Sequence, residues 1–295
     1  MKPRDVSDLI LLGALWGASF LFMRVAAPAF GPVALIAVRV GLAALLLAPV
    51  LMWRGQQGAA RKHWRAIAAV GIANSAVPFV LFAYSTLTLT AGMAAILNST
   101  APMWTALIAW WWLDDRLPRA RIAGLLIGMA GVVVLVSDRI GVRGDGQAAL
   151  LAIGAGLGAT LCYGMAANLT RRFLVGVPAL AITTGSLVAA TIALAPFALM
   201  AWPATPPAAS DWAAAMALGV LCTALAYLLY FRLIARVGAT GAISVTFLIP
   251  LFAVVWGAVF LGEGLSASMI VGGFVVLAGT ALSSGFVRWP PARAP

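Results

Sequence analysis

Apolar residues run along this chain in blocks of about twenty, separated by short stretches where Arg, Asp, Gly and Pro collect. A helix rises ~1.5 Å per residue and a bilayer core is ~30 Å thick, so ~20 apolar residues suffice to cross it. The pattern predicts helices at 8–27, 32–53, 64–86, 90–113, 119–136, 147–170, 178–201, 211–232, 239–261 and 267–287. A turn-forming stretch with balanced charge, from Ser137 to Gln147, divides these ten into five and five.

The second five repeat the first. At an offset of 148 residues Pro102 matches Pro250, Leu113 matches Leu261, Asp115 matches Glu263 and Leu117 matches Leu265. Gly71/Gly219, Gly124/Gly272 and Gly131/Gly279 keep the same register. At an offset of 141, Gly13 and Gly17 correspond to Gly154 and Gly158. Soluble solenoids repeat every 20–50 residues; one long internal repeat of apolar helices is a transporter arrangement. Being part of the repeat, the apolar run after Lys2 and Arg4 reads as a retained first helix rather than a signal peptide.

Composition narrows the class. The 295 residues are 63% hydrophobic and 9% charged, with mean hydropathy +1.05, whereas soluble domains carry roughly 25% charge. The expected fold class is an all-α integral membrane protein, with ten transmembrane helices and the lipid bilayer as a partner. Net charge is +11, but the basic residues lie between apolar runs and form no continuous patch, so no nucleic-acid partner is expected. Cys162 and Cys222 lie inside apolar segments without metal-type spacing and read as small buried residues.

Charge placement orients the chain. With the N-terminus inside, fifteen of the nineteen Lys and Arg fall in inner segments, Arg24, Arg139 and Arg143 fall outside, and Arg39 falls within a span. Lys and Arg favour the cytoplasmic side, so both termini are expected there. An odd number of helices per copy then inverts the second. The predicted organisation is a first repeat over 1–137, an outside loop over 138–146, an inverted second repeat over 147–287 and a cytoplasmic tail over 288–295. Tryptophans agree: six gather at the inner interface, Trp202 and Trp212 at the outer one, and Trp16, Trp104 and Trp256 lie deeper.

Ten helices in two five-helix repeats resemble the drug/metabolite transporter superfamily, and specifically its EamA-like group. The pattern Pro250…Leu261-Gly262-Glu263-Gly264-Leu265 is similar to the hallmark of that group. The first copy departs from it, with Leu113-Asp114-Asp115-Arg116-Leu117. Leu15-Trp16-Gly17 and the in-span Arg39 also fit. The resemblance covers nearly the whole chain, and bacterial aromatic amino acid exporters are the nearest type. It implies a bacterial-type inner membrane, and helices 1, 3, 4, 6, 8 and 9 around a central cavity with 2, 5, 7 and 10 more peripheral.

The acids are Asp5, Asp8, Asp114, Asp115, Asp138, Asp145, Asp211 and Glu263, none near a predicted span centre. Intramembrane carboxylates are the usual proton relays and partners of cationic drugs, so their absence disfavours multidrug antiport and is compatible with uniport. The lone His63 sits among Arg61, Lys62 and Arg65 and reads as an interfacial residue. No Ser/His/Asp set, metal site or cofactor motif is present, and no enzyme is expected. Asp115 and Glu263, at helix ends, are expected to pair with a base or accept N–H groups at a following helix start, or to gate. Arg39 lies seven residues into its span, ~10 Å from the outer end. It is expected to bond carbonyls or Glu263, to snorkel, or to attract a substrate carboxylate.

Neutral polar and aromatic side chains at mid-depth form the candidate binding set: Trp16, Ser19, Asn74, Tyr84, Asn98, Thr100, Tyr163, Thr223, Tyr227 and Thr246. Pro78, Pro102 and Pro250 are candidate hinges, because proline frees a carbonyl four residues earlier. The spacings Gly13/Gly17, Gly154/Gly158 and Gly124/Gly128 predict close helix packing. The expected function is export or facilitated movement of small metabolites, amino acids first, by alternating access; the alternative is multidrug or toxic-compound efflux. A monomer is compatible with the sequence.

Overall fold

The computed structural model describes residues 3–137 and 146–284, which are helical apart from short connections, with no strand ladder among them. The predicted loop 138–146, except Gly146, and the tail 288–295 lie outside the described residues. In chain order the helices are α1 (Pro3–Phe30), α2 (Pro32–Trp53), α3 (Gln57–Lys62), α4 (Trp64–Gly71), α5 (Val77–Thr88), α6 (Ala91–Asn98), α7 (Ala101–Leu113) and α8 (Arg119–Val136). After residue 145 come α9 (Gly146–Phe173), α10 (Ala179–Met200), α11 (Ala209–Gly219), α12 (Ala226–Ile243), α13 (Val245–Leu261) and α14 (Ala267–Ser283). Two π-helical segments, Ile72–Ala76 and Val220–Leu225, join α4 to α5 and α11 to α12.

Among the described residues, six uninterrupted helical runs are long and apolar enough to cross a membrane: Pro3–Phe30, Pro32–Trp53, Trp64–Thr88, Gly146–Phe173, Ala179–Met200 and Ala209–Gly238. The outer surface is apolar, with Leu45, Trp53, Trp111, Val133, Ile192, Leu199, Met200 and Phe274 between 65% and 86% exposed. A water-facing patch of this kind would aggregate, whereas lipid tails solvate it. The chain is a multi-pass membrane protein.

The most extensive helix contacts, α8 with α14, α1 with α13, α2 with α10 and α9 with both α5 and α7, each join an element before residue 137 to one after residue 146. The two halves are interleaved, not set side by side. Because lipid removes the hydrophobic drive between helices, small residues decide where they meet. On α8 and α14 a Cβ at Gly124 would lie 2.5 Å from the Ser283 nitrogen, and one at Gly131 2.6 Å from that of Val276. Gly13 and Gly17 admit Leu248 and Phe252 of α13 in the same way. Gly154 has nothing within 4 Å of its Cβ direction and Gly158 only Leu81 at 3.6 Å. On α9 it is Gly164 that lets the backbone of Trp104 approach, at 2.8 Å.

Several predicted spans are divided in the structure. The one expected at 90–113 breaks between α6 and α7. Pro102 cannot donate to the Asn98 carbonyl, and the chain tightens there, with Ser99 N–H donating to Ile96 O and Thr100 N–H to Leu97 O. Pro250 sits inside the continuous α13 instead, and the break falls at Ser244, whose hydroxyl donates to Gly241 O at 2.7 Å. Gly238, at φ 77°, kinks α12, a conformation that a Cβ would strain.

The two copies end their matching helices alike. Asp114 (φ 53°) closes α7 and Gly262 (φ 62°) closes α13, both left-handed. In each case two successive N–H groups, of residues 114 and 115 or of 262 and 263, converge on one carbonyl, Ala109 O or Gly257 O. This helix ending is the physical content of the Leu-Gly-Glu pattern. Asp is one of the few other residues that tolerates the left-handed position, which explains the first copy's departure.

Candidate functional site

The two π segments occupy corresponding positions, 148 residues apart, and their causes differ. Pro78 lacks the N–H that would bond Asn74 O, and the Val77 N–H reaches back five residues to Ile72 O. In the second copy the Thr223 hydroxyl donates to Leu218 O, also five residues back, at 2.8 Å. Such bulges turn side chains off the regular helical face, often at functional sites. Here they present Asn74 and Ser75 from one run and Cys222 and Thr223 from the other.

Arg39 of α2 meets this region. It is 5% exposed, and its Nε donates to Thr223 Oγ1 at 2.9 Å. Nη1 lies 3.8 Å from Met23 Sδ, and the guanidinium sits 3.7 Å above the centre of the Phe79 ring. Tyr163, Cys222 and Tyr227 complete the electrostatic surroundings. Neither Glu263 nor any other carboxylate of the described residues is in ion-pair reach of Arg39.

Seven residues singled out from the sequence come together at this point. Besides Arg39 and Thr223, Tyr163 packs with Phe79 and Phe82 at ring separations of 6.4 and 6.0 Å. Tyr227 lies beside the Asn74 amide and meets Trp16 edge-on at 6.2 Å. The Ser19 hydroxyl, buried next to the Cys222 thiol, makes no well-formed hydrogen bond. The set is neutral apart from one guanidinium, and rich in aromatic faces.

Other expected residues lie elsewhere. Tyr84 is 40% exposed on the outer side of α5, since the bulge shifts the register between it and Asn74. Thr100 is fully buried, its hydroxyl 3.1 Å from that of Thr160 and 2.8 Å from Leu97 O; it serves the α6–α9 contact. Asn98 is half-buried at the α6 break, and Thr246 half-buried in the first turn of α13. Pro78 is the second residue of α5, just past the first π segment, Pro102 the second residue of α7, and Pro250 lies within α13.

The charge pairs form three clusters. Arg24 is 7% exposed within α1, and its Nε donates to Glu263 Oε1 at 2.9 Å. Glu263 Oε2 accepts the Ala91 N–H at the start of α6, also at 2.9 Å, and Arg24 Nη1 donates to Thr86 O at 2.5 Å. Glu263 thus pairs with a base and caps a helix start, as expected, though the helix is α6 and not the following one. Asp115 takes both Nη groups of Arg171 at 2.6 and 2.9 Å. Arg171 beside it holds its carboxyl below the ordinary 3.8, against a weaker opposing effect of desolvation. That contribution is therefore complete at neutral pH and lost only as pH falls through the lowered value. The third cluster joins Asp8 to Arg232 at 2.6 Å and to Arg236 at 3.0 Å, with Asp5 3.7 Å from Arg236.

Two recesses are open at the surface. One of about 390 Å³ is lined by Lys62, His63, Trp64, Arg65 and Ala66, and one of about 220 Å³ by Val33, Val77, Val80, Leu81, Leu194 and Phe197. Arg39 lines neither of these two. Among the described residues no three His, Cys, Asp or Glu side chains gather as a metal site.

Sequence and structure comparisons converge. The model of the EamA-like transporter family matches residues 8–137 and again 150–285. The uncharacterized transporter YvbV of Bacillus subtilis is 25% identical, over 92% of this chain and 88% of that protein. A protein named as a probable terminal-alkyne amino-acid exporter, from Streptantibioticus cattleyicolor, is 26% identical over 95% of this chain and 93% of its own length. A crystal structure with 19% sequence identity superposes with a TM-score of 0.68, over 98% of this chain and 99% of that one, a likeness of fold. With nearly its whole described length matched in two stretches, the chain belongs to the EamA-like transporter family.

Proposed function

We propose that this protein moves small organic metabolites, amino acids first among them, across a bacterial inner membrane by alternating access. In this reading the two family-matched stretches are inverted five-helix copies. The shorter elements α6 with α7, α8, α13 and α14 bring the spans to ten, and both termini are cytoplasmic. Pro78, Pro102 and Pro250 act as hinges, while the Asp115 and Glu263 ion pairs latch opposite ends.

The observation that carries this reading is the cluster of Trp16, Ser19, Asn74, Tyr163, Thr223 and Tyr227 gathered at the two matching π segments. Neutral amides and hydroxyls bind a zwitterion without a charge of their own that must be neutralised in each cycle, and aromatic faces receive an apolar side chain. Interleaving of the halves supports rocking of one against the other around a fixed site. The relative named as a probable amino-acid exporter supports the substrate class. With no carboxylate in the cluster, transport runs as uniport.

Uptake of a radiolabelled amino-acid panel into proteoliposomes tests this. Wild type is expected to give saturable, stereoselective uptake that persists without a pH gradient, and Asn74→Ala and Thr223→Ala to reduce it. Normal transport by both variants would contradict the assigned site, and uptake that stops when the pH gradient is collapsed would contradict uniport.

A further inference from the structure

Arg39 is a buried cation whose counter-charge the described chain does not provide. The other arginine buried to a similar degree, Arg24, has Glu263. Of the remaining described acids, Asp115 is held by Arg171, and Asp5 and Asp8 by Arg236 and Arg232. Asp211 caps the Ala208 N–H, and Asp114 is exposed at a helix end. Every described carboxylate is thus in use or at the surface.

What Arg39 has in place of an anion is weak. One hydroxyl accepts from Nε, a thioether lies near Nη1 and a phenyl ring covers one face. A buried ion without an opposite charge carries a large desolvation penalty. A neutral hydrogen bond and a cation–π contact return only part of it. Intramembrane arginines that persist under such a penalty pair with a partner or mark a substrate path.

We propose that the Arg39 guanidinium anchors a carboxylate of the transported solute, with Phe79, Phe82, Tyr163 and Tyr227 receiving its apolar part. This deepens the proposed transport function and rests on it. The Nε–Thr223 bond fixes the plane of the guanidinium, and Thr223 is itself fixed by Leu218 O. The fork is thereby oriented before the anion arrives, which favours two-point recognition of a carboxylate over capture of a point charge.

The ligand series that tests it uses the wild-type protein. Uptake and thermal stabilisation in detergent are measured with L-phenylalanine, N-acetyl-L-phenylalanine and L-phenylalaninamide, with sodium chloride and inorganic phosphate as free-anion arms. Phenylalanine and its N-acetyl derivative are expected to compete for labelled uptake and raise the melting temperature. The amide, with the same ring and ammonium group but no carboxylate, is expected to compete roughly tenfold or more weakly. Arg39→Gln is expected to lose the phenylalanine-induced shift and Arg39→Lys to keep part of it. Equal competition by phenylalanine and phenylalaninamide overturns the anchor and leaves the transport reading standing. So does an undiminished shift in folded Arg39→Gln, or an equal shift with chloride or phosphate alone. Absence of amino-acid uptake by wild type overturns both.

Discussion

Arg24 and Arg39 carry the same charge at similar burial, and their surroundings set their roles apart. Arg24 is bonded to a carboxylate and a backbone carbonyl, and Glu263 is completed by the Ala91 N–H. Removing one partner strands a buried charge. Arg24→Met and Glu263→Gln are each expected to destabilise by about 3–5 kcal/mol, with the double variant Arg24→Met/Glu263→Gln losing much less than their sum. Thermal melting in detergent checks this, and single-variant losses that add in the double would contradict a coupled pair. Sequence reading finds Arg39 and Glu263 as unusual residues but gives Arg24 to an outside segment. Its partner was not legible there, because Arg24 and Glu263 stand 239 residues apart in the chain, and α1 extends three residues beyond its predicted end, to Phe30. Tyr84 stands apart from the cluster, 40% exposed on α5 beyond the bulge.

At the level of elements, glycine spacing was legible only where a partner backbone arrives. Gly279 of α14 faces the Gly128 nitrogen and Cα directly, while Gly154 of α9 faces open space. Gly279→Val is therefore expected to destabilise by about 1–3 kcal/mol or more through forced separation of α8 and α14. Gly154→Ala is expected to be neutral or stabilising by about 0.5–1 kcal/mol. Melting temperatures of the two variants decide the matter, and equal losses would mean that spacing alone governs packing. The breaks at Ser99 and Ser244 and the π segments were not legible from apolar blocks. They depend on individual bonds, such as Thr223 to Leu218 O or the donor missing at Pro78, that leave hydropathy unchanged. The left-handed endings at Asp114 and Gly262 were visible as a motif, though their convergence on one carbonyl was not.

Across the whole molecule, the internal repeat and the membrane class were written in the chain, because both follow from the order and spacing of apolar blocks. Interleaving was not, since it depends on which helix faces meet: α1 with α13, α2 with α10, α8 with α14. That arrangement places Arg39 from the first half against Thr223 from the second, so any relative movement of the halves passes through the candidate site. The Arg24–Glu263 ion pair lies between the halves too, and Glu263 ties the end of α13 to α1 and α6. In the proposed cycle, solute exchange requires the contacts of Arg39 and Glu263 to open and re-form.

Counterflow measures this directly. Proteoliposomes loaded with unlabelled L-phenylalanine and diluted into trace labelled L-phenylalanine are expected to accumulate label transiently above equilibrium, since an alternating site returns loaded. A monotonic approach to equilibrium, unchanged by internal substrate, would contradict alternating access and describe an open pore.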